Sequence, residues 1–512
     1  TWSFEEGKET LPSPVLDAQP SWVRAYWKAW ELAYANFHQP APGSGFPSPF
    51  IDAAFNQNIF LWDTCFMTMF CNVAHPLVPG ISSLDNFYAK QYPDGEIARE
   101  IDRTTGETFR AWQNTENAPL FSRWGWTVPW AIRRVKVKYV GREAPVANPR
   151  LTLDALDHPL FAWSELEHYR WTGDSARLAS FWDTLVRYYE SLKTYLRQGN
   201  GLYITDWASM DNSPRNRHLK GGGTGVDISA EMVLFGRQLA EIARILGRTQ
   251  AAEPLEREAQ ELSDRINELM WSERHGFYFD LSLAGRQIPI KTVAAFWTLL
   301  SGVANERQAK ALVGHLRNPS TFGRLNPVPS CSADAPGYDP TGMYWRGATW
   351  APIITMVIRG LERYGENELA REIALKHVEL VADVLEQTGT IWENYAPDAP
   401  RPGSLPMGRS VRKDFVGWSG IGPILYLLEY GIGLQADAPA GRLVWTIGSY
   451  GRAGCERLRF GGRVVSLVAE PRVPSGARTL TVSSDGPFTL VAREDGRERT
   501  FAVTPGSQRL LL

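Results

Sequence analysis

Cysteine and histidine are scarce in this chain, and that scarcity excludes several kinds of chemistry. Its 512 residues hold four cysteines, Cys65, Cys71, Cys331 and Cys455, spaced far apart and without a C-x-x-C pair. Neither a zinc site nor a disulfide framework is indicated, so all four read as structural thiols. The eight histidines form no H-E-x-x-H and no other ligand spacing, which argues against metal catalysis, and no cofactor is expected. No G-x-S-x-G occurs. The Gly-rich run at residues 221–225 follows no strand and lacks the Lys-Ser/Thr of a phosphate loop, so it reads as a mobile loop edge beside Asp211. No run of about 18 apolar residues is present, which excludes a membrane-spanning helix. An excess of one charge is also missing. With 54 basic against 56 acidic residues the net charge is −2, too small a field to gather nucleic acid or an anionic membrane, so the expected partner is neutral. The chain opens at Thr1, without methionine or an apolar leader. A soluble protein, secreted or periplasmic after signal removal, is favoured over a cytoplasmic one.

Aromatic residues are plentiful. Twenty tryptophans and 18 tyrosines, in a chain that is 44% hydrophobic, supply a large core and also the flat faces that stack on the C–H faces of sugar rings. Apolar residues recur at three-to-four spacing over residues 21–37, 61–72, 158–172, 176–197, 227–246, 253–271, 291–303, 306–316, 345–364, 367–388 and 417–430. Short links alternate with long loops rich in Gly, Pro and aromatic residues, the layout of a toroid of helical hairpins. Such loops carry function. After Gly433 the texture changes to short alternating runs at 442–446, 463–469, 480–483, 488–491 and 500–503, separated by Gly, Pro, Asp and Ser. Residues 1–434 are therefore expected to form a helical domain with an N-terminal extension. Residues 435–512 are expected to form a small antiparallel, sandwich-like β domain, with 435–441 as the linker.

Two loop carboxylates stand in similar surroundings. Glu393 lies in Ile391-Trp392-Glu393-Asn394-Tyr395, and Asp211 in Trp207-Ala208-Ser209-Met210-Asp211-Asn212-Ser213-Pro214-Arg215. Each alone would read as a solvated or capping residue. Together they suit glycosidic bond cleavage, in which one protonated carboxyl serves the leaving oxygen and one carboxylate acts at the anomeric carbon or its water. Arg215 and Arg217 are either structural ion-pair partners or forks for hydroxyls or a carboxylate, and Arg346, in its Trp-rich setting, suggests a wall of a sugar pocket. Asp63 beside Trp62 is either a helix N-terminal carboxylate or an acceptor for ring hydroxyls. Arg99 and Glu100 close a charged turn that is either a structural network or a loop facing the substrate.

Five motifs in order, Phe60-Leu61-Trp62-Asp63-Thr64, Met210-Asp211-Asn212-Ser213-Pro214-Arg215, Trp345-Arg346-Gly347 with Trp350-Ala351-Pro352, Trp392-Glu393-Asn394-Tyr395 and Gly417-Trp418-Ser419-Gly420, resemble a known clan. It is the clan of glycoside hydrolases that contains trehalases (family 37) and processing α-glucosidase I with mannosylglycerate hydrolases (family 63). The resemblance spans residues 50–432. Asp157-His158-Pro159-Leu160-Phe161-Ala162-Trp163 and Tyr169-Arg170-Trp171-Thr172-Gly173-Asp174 look closest to the bacterial mannosylglycerate-hydrolase-like branch. The resemblance implies an (α/α)6 barrel and an inverting mechanism, with Asp211 as general acid and Glu393 as general base. It also implies that Trp62, Asp63, Trp345, Arg346 and Trp418 line the terminal sugar subsite, and Arg99, Glu100, Trp207, Arg215 and Tyr395 join the expected substrate-binding set. Trehalases carry Trp-Asp where this chain has Trp345-Arg346, Glu-Lys-Tyr where it has Glu-Asn-Tyr, and no C-terminal β domain, which turns the expectation away from trehalose. The expected activity is inverting, exo-acting hydrolysis of an α-linked glucosyl or mannosyl unit from a small glycoside or oligosaccharide. Rivals are a rhamnosidase or arabinofuranosidase on the same toroid, a sugar epimerase built on histidine pairs, and a catalytically silent carbohydrate-binding protein.

Overall fold

The computed structural model describes residues 2–53, 55–108, 158–205, 210–219, 223–448, 451–472 and 476–512. Six helices form an inner ring: Leu61–Cys71, Phe161–Thr172, Val226–Ile245, Trp297–Leu300, Ala351–Arg363 and Ile421–Ile432. Each packs on the next and the last returns to the first, so the ring closes. Outer helices back it. Ser175–Leu196 and Thr249–Met270 lie against Val226–Ile245, while Asn367–Thr388 and Pro20–Tyr34 lie against Ile421–Ile432. Of the inner helices, Leu61–Cys71 and Ile421–Ile432 are apolar nearly all round, as helices buried on every side must be, whereas the outer Thr249–Met270 shows only a stripe, with Ala252, Ala259, Leu262, Ile266 and Met270 turned inward. The fold is thus a mainly α, (α/α)6 toroid with a β domain behind it.

Local chemistry moves several boundaries from where periodicity puts them. The helix expected over 345–364 begins only at Ala351, because Trp350 is extended (φ −125°, ψ 125°), Gly347 has φ 146°, and Pro352 occupies the first turn. Proline there sacrifices no hydrogen bond, since N-terminal amides have no intrahelical partner. The stretch read as a linker, 435–441, is the end of one strand and the tight turn into the next: Leu434–Asp437 pairs antiparallel with Arg442–Thr446 across a 3-10 turn at Ala438–Ala440, with Leu434 and Ala436 turned inward.

The β domain has two sheets. Leu434–Asp437, Arg442–Thr446, Phe488–Glu494 and Arg497–Val503 make one; Ser13–Leu16, Ala453–Phe460, Arg463–Ala469, Thr479–Ser484 and Gly506–Leu511 make the other. Phe460 meets Phe488 between them, with centroids 5.9 Å apart. The edge strand Ser13–Leu16 comes from the N-terminal extension and pairs with Ala453–Phe460, so the chain crosses the division drawn at 434/435. Among the described residues no helix is long and apolar enough to cross a membrane.

Three of the inner helices meet through charge towards their C-terminal ends. Arg170 donates to Glu167 (2.9 Å) and Glu429 (2.5 Å), and Arg359 donates to Glu429 (2.7 Å) and Glu167 (3.2 Å). Against the cost of its burial, the two guanidinium groups hold the Glu167 carboxyl down to about 2. All four residues lie in the C-terminal halves of their helices, where cations also meet the negative end of the helix dipole. Trp445 joins ring and β domain, being fully buried with its indole N–H on the Ile432 carbonyl at 3.0 Å. Trp445→Ala is expected to cost about 3–5 kcal/mol, read as a lower urea midpoint by circular dichroism; an unchanged midpoint would mean that this joint carries no stability.

Candidate active site

At the other end of the ring, where the inner helices start, lies a cavity of about 360 Å³. That volume suits a small ligand, since such sites run roughly 300–1,000 Å³. Its position follows from the fold. Trp62 and Asp63 sit in the first turn of Leu61–Cys71, Trp350 immediately precedes Ala351–Arg363, and Trp418 precedes Ile421–Ile432. Four indoles form a connected wall: Trp345 stacks on Trp350 (4.3 Å, 9° between planes), Trp350 lies 5.8 Å from Trp418, and Trp62 meets Trp418 and Trp345 edge-on at 5.6 and 6.3 Å. Phe55, Phe60 and Leu405 extend the apolar surface, and Asn56, Asp63, Arg99, Tyr344 and Arg412 supply polar atoms. Sugars need both kinds of surface.

Glu393 enters this wall through the loop after Asn367–Thr388. Gly389 ends that helix in the left-handed conformation (φ 76°), and the chain then runs between Lys413, bridged to Trp392, and Thr349, bridged to Tyr395. Its N–H donates to the Arg412 carbonyl at 3.0 Å and its carbonyl accepts from the Trp418 indole at 2.9 Å. The carboxylate itself accepts from the Tyr344 hydroxyl (Oε1, 3.0 Å) and the Arg412 backbone N–H (Oε2, 3.2 Å). Burial pushes the Glu393 carboxyl above its ordinary range, with these two hydrogen bonds and the Arg412 charge opposing the rise. The result is a fixed carboxylate of raised basicity.

Tyr344 is the donor that meets it. Burial, then the charges of Glu393, Asp211 and Asp63, push its phenol well above 10, so it stays protonated and donates. Its backbone is left-handed (φ 56°), a conformation that costs on the order of 1–3 kcal/mol at a non-glycine residue.

Asp211 lines the same cavity from an exposed turn. Its neighbours fix that turn. Asn216 donates to the carbonyls of Met210 (2.7 Å) and Asp211 (3.2 Å), and Asn212 reaches across to Met343 and Trp345. Arg215, fully buried, donates to Asp227 (2.5 Å) and Asp280 (3.1 Å). Against its burial, Arg215 and then His158 hold Asp227 below the usual carboxylate range, whereas burial pushes Asp280 up with Arg215 opposing.

The structure brings together seven of the residues singled out from the sequence: Trp62, Asp63, Arg99, Asp211, Trp345, Glu393 and Trp418. Four others are not among the residues that line this cavity, and each has a polar contact elsewhere. Arg215 serves Asp227 and Asp280, and Arg346 donates to the Gly337 carbonyl at 2.7 Å. Glu100 accepts from Asn58 at 3.2 Å, and the hydroxyl of buried Tyr395 accepts from the Trp392 N–H at 3.2 Å. Trp207 and the start of the Gly-rich run, 221–222, lie outside the described residues. Trp350 stood in a motif without an assigned role, and Tyr344 lies immediately before that motif. Arg412 stood in none of the motifs, and its guanidinium lies over the Phe55 ring, 4.8 Å from the centroid. Among the described residues no three His, Cys, Asp or Glu side chains converge as metal ligands.

Arg215→Ala would strand two buried carboxylates, a loss of about 3–5 kcal/mol. Urea unfolding measures it, and a wild-type midpoint would refute the clamp.

Comparison with known proteins bears on the chemistry. A protein of Borreliella burgdorferi described as uncharacterized is 29% identical over 365 residues, 69% of this chain and 75% of that one. A mannosylglycerate hydrolase of Rubrobacter radiotolerans is 33% identical over 138 residues, 26% of this chain and 30% of that one. The crystal structure of the GH63 mannosylglycerate hydrolase from Thermus thermophilus in complex with glucose has the same fold, with a TM-score of 0.57 and 20% identity, covering 78% of this chain and 98% of that one. Residues 146–405, just over half of the chain, match the mannosylglycerate hydrolase MGH1-like glycoside hydrolase domain, and the chain is a glycoside hydrolase belonging to that family.

Proposed function

We propose that this glycoside hydrolase removes a terminal α-linked glucosyl or mannosyl unit from a small glycoside with inversion, Asp211 protonating the leaving oxygen and Glu393 activating water. The observation that carries this reading is that both carboxylates face one aromatic-walled cavity. Glu393 suits the base. Buried and raised, it is a better proton acceptor than a solvated carboxylate, and Tyr344 and the Arg412 amide fix its lone pairs. Asp211, on the exposed turn, suits the acid at the leaving-group side. Trp62, Trp345 and Trp418 offer faces for the sugar ring, and Asp63, 6% exposed in the first turn of its helix, offers a carboxylate to ring hydroxyls. The cavity also carries Arg99, which pairs with Glu100 at 3.4 Å, and Arg412, and these two guanidinium groups favour an acidic group on the departing portion. The relative from Rubrobacter radiotolerans, named for mannosylglycerate, supports a hexosyl glycerate as the first substrate to try. Inversion requires room for a water between the carboxyls, a separation of about 6.5–9.5 Å.

Proton NMR of the first product decides the stereochemistry. From an α-glycoside the β-anomer should appear first, and initial release of the α-anomer would refute inversion. Asp211→Asn and Glu393→Gln should each lower kcat by about 10²–10⁴ with folding intact; a variant with wild-type turnover loses its assigned role. Tyr344→Phe removes a donor that favours the ionised base, so the Glu393 carboxyl should rise further. Because the base must be ionised to act, the acid limb of the kcat/KM profile should move to higher pH, and an unmoved limb would separate Tyr344 from the base.

A further inference from the structure

We propose that Asn212 is a positioning residue that couples the loop of the acid to the carboxylate of the base, acting through Tyr344. This coupling rests on the roles proposed for Asp211 and Glu393. Asn212 follows Asp211 in sequence, and its amide spans the backbone on either side of Tyr344: Nδ2 donates to the Met343 carbonyl at 3.1 Å, and Oδ1 accepts from the Trp345 N–H at 2.8 Å. An amide supplies, on one rigid group, the donor and the acceptor that these two contacts require. The bracketed residue is the one with the left-handed backbone, and its hydroxyl lies 3.0 Å from Glu393 Oε1. A strained conformation persists only where its surroundings hold it. On its far side Tyr344 is held by its carbonyl, which accepts from the Ala348 N–H at 3.0 Å and the Ser330 hydroxyl at 3.3 Å. Those contacts anchor the turn to the ring wall, whereas the Asn212 amide ties it to the acid. A shift of the Asp211 turn would therefore pull on the aim of the Tyr344 hydroxyl. Acid and base are held to one spacing by a short chain of contacts, and an inverting site needs that spacing fixed.

Structure and kinetics test this separately. In a crystal structure of Asn212→Ala, Tyr344 should relax to negative φ and its hydroxyl should withdraw beyond about 3.5 Å from Glu393. An unchanged Tyr344 would overturn the proposal whatever the enzyme's substrate proves to be. In kinetics, Asn212→Ala should lower kcat/KM roughly ten- to hundredfold, mostly through kcat. It should also move the acid limb upward as Tyr344→Phe does. The double variant should be no worse than the worse single, because both changes remove one path. Multiplying losses or an unmoved limb would overturn the coupling. Asn212→Ser, too short to span both groups, provides the same test should the alanine variant fold poorly. If no glycoside is cleaved, the hydrolytic roles of Asp211 and Glu393 fail, while the crystallographic result still decides whether Asn212 holds Tyr344.

Discussion

Six inner helices that run the same way around a closed ring determine where the polar groups of the barrel must go. Helix starts present unpaired N–H groups and the positive end of the dipole, and helix ends present carbonyls and the negative end. The chain obeys this polarity at both faces. Asp63 and Asp227 occupy first turns, while Arg170 and Arg359 occupy the C-terminal halves of their helices. A cavity between helix starts is hospitable to carboxylates and to water, and the opposite face is suited to an ion-paired plug. The position of the site is thus a consequence of helix direction.

Around that cavity, rigidity comes from hydrogen bonds that arrive from several segments. The Glu393 carboxylate is met from Tyr344 on one loop and from Arg412 on another, and its backbone is pinned by Trp418, further along the segment that carries Arg412. Asp211 is more exposed, yet its turn is stitched in place by Asn212, Arg215 and Asn216. Glu393 is buried and Asp211 is exposed. That difference suits a reaction in which one carboxyl stays beside the sugar and the other meets a departing group.

Much of this was legible in the sequence, for identifiable reasons. Helical periodicity and the change of texture after Gly433 carried the architecture, and the matching surroundings of Asp211 and Glu393 pointed to two carboxylates that the fold places on one cavity. Arginine was harder. Arg215 and Arg346 stand in aromatic and amide company, but a guanidinium satisfies a buried carboxylate or a carbonyl as readily as a ligand, and only the packing decides which. Tyr344 was hidden because its importance lies in a backbone angle and a partner 49 residues away in sequence. The strand at Ser13–Leu16 was invisible for a related cause, since its partner lies across the whole length of the barrel and local pattern carries no trace of it.

The plug formed by Arg170, Arg359, Glu167 and Glu429 gives the barrel one further property. Three inner helices are laced together by these four charges, so the end of the barrel away from the cavity is held by directional pairs that fix how those helices sit against one another.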